Sequence, residues 1–177
     1  MSRARTFDSS TAPGVARLAE RAPVIIDEAD ATLDAFPRAL KLGYGGVSMK
    51  ACKGVIRALV NRARIDAQGS GLQSAEDLTN LPTLPLLQDL AVVSALGLPH
   101  VERNGHHYFR GAEHLTSSER THLHGEHADL FDAQCKLRIE DGSIALSSVA
   151  AARGFGYGGP VHGDSVDGDP VDGPLDL

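Results

Sequence analysis

Pro23-Val24-Ile25-Ile26-Asp27-Glu28, answered by Gly46-Val47-Ser48-Met49-Lys50, decides the fold. Each stretch is a short apolar run that closes on an ionisable residue, and the β-branched Val-Ile-Ile is typical of a strand buried on both faces. Two further ends of this kind follow at Glu76/Asp77 and at Glu102, so the ends step by 23, 26 and 26 residues (27 to 50, 50 to 76, 76 to 102). A strand, a loop, a helix and a second loop fill one such step. The pattern predicts a parallel β/α array in which charged residues at the strand C-termini converge on one rim of the sheet. A carboxylate pair and a lysine delivered to that rim point to metal-assisted acid/base chemistry.

Strands are expected over 24–27, 46–49, 71–74 and 99–102, with helices between them. Asp30 or Thr32 is placed to cap a helix over 33–42 that Gly43 ends, and Pro37 suits only its first turn. A second helix runs over about 53–67, with Val55, Ile56, Leu59, Val60 and Ala63 as its buried stripe and Arg57, Asn61 and Arg64 outside. A third carries Leu86, Leu87, Leu90, Val92, Val93 and Leu96 to a stop at Gly97. Four divisions result. Residues 1–22 form a leading loop and helix, 23–116 a half-barrel of β/α units, and 117–158 a C-terminal extension. That extension contains a helix over 117–131 and a hairpin of 136–140 with 143–146 about Asp141-Gly142. Residues 159–177, rich in Gly, Pro and Asp without apolar periodicity, are expected to be a disordered acidic tail.

Composition limits what the array can be. With 177 residues, 42% of them apolar, the chain can bury one real core, but a closed eight-unit barrel takes roughly 250 residues. Four units fit. A formal charge of −6, from 17 Lys+Arg against 23 Asp+Glu, gives no basic footprint for nucleic acid, so none is expected as a partner. No run approaches the ~18 apolar residues of a membrane span. The basic start Met1-Ser2-Arg3-Ala4-Arg5 lacks the apolar stretch of a secretory signal. Cys52 and Cys135 are too few for a disulfide framework. A cytoplasmic location is the resulting expectation.

The segments 23–28 and Gly46-Val47-Ser48-Met49-Lys50-Ala51-Cys52-Lys53-Gly54 resemble the fifth and sixth barrel strands of the enolase superfamily, in its mandelate racemase/muconate-lactonizing branch. Glu140-Asp141-Gly142-Ser143-Ile144 and Gly154-Phe155-Gly156-Tyr157-Gly158 are similar to that branch's C-terminal segment, so the likeness spans about residues 15–158. It implies an α/β fold: a partial (β/α) barrel of about four parallel units, the family's strands five to eight, plus the extension. It implies Mg²⁺-dependent abstraction of a proton α to a carboxylate, as in a dehydratase, racemase/epimerase or cycloisomerase, that is, a lyase or isomerase acting on a small hydroxy or sugar acid. By resemblance Asp27 is a metal carboxylate, and Lys50 is the acid/base lysine, with Lys53 adding charge beside it. Asp77, Glu102 and His106 lie where substrate contacts are expected. A lysine base needs a pKa near the working pH and a dication at the developing charge.

The family takes metal carboxylates from strands three, four and five, and the likeness here starts near strand five. A fragment, inactive alone or completed by another chain, is therefore expected. Two alternatives come from other classes. Two unpaired sheet edges invite self-association, which suggests a non-catalytic, dimerising half-barrel scaffold. His122, His124 and His127, with Glu126 and Cys135, suggest a metal-binding module, although neither His-Glu-x-x-His nor a paired-Cys spacing is present.

Overall fold

The computed structural model describes residues 13–77, 80–103 and 111–157. Four strands, β1 (Ile25–Ile26), β2 (Gly46–Met49), β3 (Leu72–Asp77) and β4 (Val101–Arg103), form one all-parallel sheet in the order β1-β2-β3-β4. Ile26 pairs with Val47, Val47 with Gln73, Ala75 with Val101, and Glu76 with Glu102. Gly46 lets β2 lie close between its neighbours. A Cβ there would run into the Leu72 carbonyl and the Ile25 side chain.

The crossovers are α2 (Ala35–Lys41), α3 (Val55–Gln68) and α4 (Leu84–Ala95), preceded by α1 (Pro13–Ala19). Pro37 is the third residue of α2, where its missing N–H costs nothing. Asp34, not Asp30 or Thr32, occupies the N-cap position of α2. Strand order follows chain order without reversal, and connections of one hand then bring successive helices onto one face. Packing agrees. Ile26 and Val47 pack with Phe36, Ala39 and Ile65, while Met49 and Ala75 pack with Ala58, Val92, Val93 and Leu96. Alternation along the strands leaves Ser48, Ser74 and Glu76 on the other face.

The extension packs on α4. Leu86, Leu87 and Leu90 meet Leu123 of α5 (Ser117–Glu126), Leu130, Phe131, Cys135 and Val149 of α6 (Ser147–Ala151) in the largest core cluster. Thr116 and Glu119 close a reciprocal capping box at the start of α5.

Several expectations need correction. In α3 the buried residues are Ala58, Asn61 and Ile65, while Ile56 is 70% and Leu59 46% exposed, so the expected stripe has the right period and the wrong phase. Strand β3 runs three residues beyond its expected end. The helix over 117–131 stops at Glu126, and α6 is a helix that no expectation covers. The 136–146 hairpin reduces to a turn. Glu140 and Ser143 exchange both backbone hydrogen bonds, at 2.9 and 2.8 Å, around Asp141 and Gly142 with φ of 49° and 74°, and they form an isolated bridge rather than paired strands. The expected tail, 159–177, lies outside the described residues. Among the described residues no helix is long and apolar enough to cross a membrane.

Candidate functional site

The C-terminal ends of β1, β2 and β3 bring four charged side chains together around Lys50. This lysine follows β2 directly and is 6% exposed; its Nζ lies 3.2 Å from Asp27, 2.5 Å from Glu28 and 3.3 Å from Glu76. One 3-10 turn, Ala51–Lys53, then carries Lys53 back over the rim. There its Nζ donates to the Asp27 backbone carbonyl at 2.8 Å and to Asp27 Oδ1 at 2.9 Å. Asp27 is thus clamped between two ammonium groups. The Ser48 hydroxyl, two residues before Lys50 on the same sheet face, donates to Glu76 Oε2 at 3.4 Å.

Electrostatics follow from this crowding. Burial alone favours neutral lysine, but hydrogen bonds to Glu28, Asp27 and Glu76 outweigh it and hold the Lys50 ammonium well above the ordinary lysine range. Burial also disfavours the Asp27 carboxylate, and the bonds from Lys53 and Lys50 overcome that to pull it below its usual value. Glu76 moves the other way. Its burial and the neighbouring Asp27 push it up, with Lys50 only partly compensating. The cluster therefore rests with a charged Lys50, and Glu76 is the carboxyl displaced toward its protonated form. Glu76 can then donate a proton, but a base needs Lys50 relieved of its carboxylate neighbours.

Asp27 and Lys50 meet as the spacing of strand ends predicts, and Lys53, which the resemblance alone put beside them, reaches Asp27 from the 3-10 turn. Glu28 and Glu76 complete the group. Glu76 stands in the sequence as one half of an undecided Glu76/Asp77 strand end, and Glu28 as the residue closing the first apolar run. Asp77 ends β3 beside Arg103, and its side chain lies outside the described residues, as does all of His106. Glu102 is the register partner of Glu76 and is exposed.

A Mg²⁺ site does not follow from the described residues by themselves. Both Asp27 carboxylate oxygens face ammonium groups, and no group of three or more His, Cys, Asp or Glu side chains among the described residues is arranged to hold a metal. The histidine module fares similarly. His122 faces Glu126 at 3.5 Å and stands edge-on to the Tyr157 ring, His124 Nδ1 meets the Phe131 carbonyl at 3.3 Å, and buried His127 Nδ1 meets Ser148 Oγ at 2.9 Å. Each ring is engaged separately. Compared with family models, curated proteins and solved structures, the chain returns no match.

Proposed function

We propose that the chain is the four-unit C-terminal part of an enolase-superfamily barrel, and that its rim cluster is half of a Mg²⁺-dependent site for α-proton transfer on a small hydroxy or sugar acid. The observation that carries this is a lysine 6% exposed at a parallel-strand end, held by Asp27, Glu28 and Glu76 with Lys53 alongside. Burying an ammonium costs roughly several kcal/mol before pairing, and perturbed titratable groups concentrate at functional rims. In this proposal Lys50 is the proton-transfer group, Lys53 offsets substrate charge, and Asp27 is one carboxylate on the metal side. Mg²⁺ prefers near-octahedral oxygen ligation, so the other carboxylates have to come from outside the four units, and the chain alone is silent.

Mn²⁺ as a paramagnetic stand-in for Mg²⁺ tests the metal side in a ¹⁵N-labelled chain. Weak, saturable broadening of amides around Asp27, lost in Asp27→Asn, is the expected result. Broadening confined to other acidic residues removes Asp27 from the metal side. A scaffold is the second reading, favoured by the open edges of β1 and β4 in the described sheet. Under it sedimentation shows a dimer whose strength ignores Asp27→Asn and Lys50→Met.

A further inference from the structure

Behind the rim, between α3 and the sheet, lies a cavity of about 10 Å³ whose walls include Asp30, Lys50, Lys53, Arg57, Asn61 and Gln73. Asp30 is 4% exposed and Gln73 1%. One carboxylate oxygen of Asp30, Oδ2, accepts from Asn61 Nδ2 at 3.2 Å, and Gln73 Nε2 donates to the Ala58 carbonyl at 3.0 Å. Their remaining oxygens, Asp30 Oδ1 and Gln73 Oε1, are buried and meet no donor among the described residues. Both atoms are acceptors only. Leaving a buried acceptor unmet costs about 1–3 kcal/mol, and more when it is charged.

We propose that this cavity is a binding site for one internal water molecule, which donates one proton to Asp30 Oδ1 and the other to Gln73 Oε1. The volume matches a single water, since roughly 10–15 Å³ is the minimum for one. A monovalent cation is the poorer occupant, because Lys50, Lys53 and Arg57 already put three positive side chains on the same walls. The water ties the turn after β1, which carries Asp27 and Glu28, to β3, which carries Glu76. The site stands whether or not the rim does proton transfer.

The test is water-to-protein NOE and ROE spectroscopy on the full chain, read at the Val47 and Met49 side chains, which line the cavity and do not exchange protons with solvent. Cross-peaks with the sign of a long-lived water are expected in the wild type. They are expected to vanish in Gln73→Met, which fills the space and removes one acceptor, and to persist in Asp30→Asn, which keeps shape and an oxygen. Should Gln73→Met fail to fold, the wild type and Asp30→Asn still decide. Absence of the cross-peaks from the wild type overturns the proposal. So does a melting temperature raised specifically by Na⁺ or K⁺ over choline at equal ionic strength, which assigns the cavity to a cation.

Discussion

Lys50 is surrounded by three carboxylates of very different exposure, and the energetics divide accordingly. Glu28 is 76% exposed and contributes little through solvent screening, whereas Glu76 is 12% exposed and Asp27 is held from both sides. Lys50→Met leaves Asp27 and Glu76 crowded without their shared cation. It should cost about 3 kcal/mol in chemical denaturation, against under about 1 kcal/mol for Glu28→Gln. Equal losses would show that the two contacts do not differ as their burial says. His127 gives a pH effect of known sign. Burial lowers its pKa below 6.5, against the partial support of Glu126 and Asp129, so the folded ring is neutral. Its contribution is fully present above pH 6.5 and is lost as pH falls through the lower folded value. Melting temperature should fall as the pH drops below 6.5, and fall less in His127→Asn; an identical fall in both would contradict this. At this scale Asp27 and Lys50 are legible because strand ends repeat, whereas Lys53 sits in the turn after β2, which the repeat does not mark. The choice between Glu76 and Asp77 is not, because it depends on where β3 stops, and spacing leaves that open by a residue.

Helix α3 shows what periodicity can and cannot supply. Its extent, Val55–Gln68 with a left-handed stop at Gly69, comes close to the expected 53–67, yet the inner face consists of Ala58, Asn61 and Ile65. That face must meet a buried carboxylate. Asn61 bonds Asp30, Arg57 donates to the Asp30 carbonyl, and Arg64 reaches the Leu33 carbonyl, so polar residues turn inward and Ile56 turns out. The spacing of apolar residues within one helix carries no trace of a partner 31 positions away. Ile65→Ala should therefore cost about 2–4 kcal/mol, whereas Ile56→Ala should stay within about 0.5 kcal/mol; the reverse order would restore the expected phase. In β2, Gly46→Ala should cost about 1–3 kcal/mol by overpacking against β3, seen as a lower denaturation midpoint. A neutral result would mean that the strands part more easily than their spacing indicates. Strand β1 is two residues long, shorter than its sequence suggests, although the Val24 carbonyl just before it still accepts from the Gly45 N–H at 2.8 Å.

Across the molecule, an all-parallel four-stranded sheet with helices between its strands is what the 23/26/26 spacing foretells. The C-terminal extension is harder to read, since its core with α4 joins residues such as Leu87 and Phe131 that no local period links. The functional proposal depends on a rim whose lysine is held as an ammonium by its neighbours. Such a lysine has no free pair with which to take a proton, and a weakly acidic C–H also needs electrostatic stabilisation of the developing charge, each lost group costing ~10²–10³ in rate. The direct measurement is α-proton exchange of hydroxy and sugar acids in deuterated water with Mg²⁺, followed by NMR. The account predicts exchange at the uncatalysed rate for this chain alone. Exchange well above background that disappears in Lys50→Ala would contradict it.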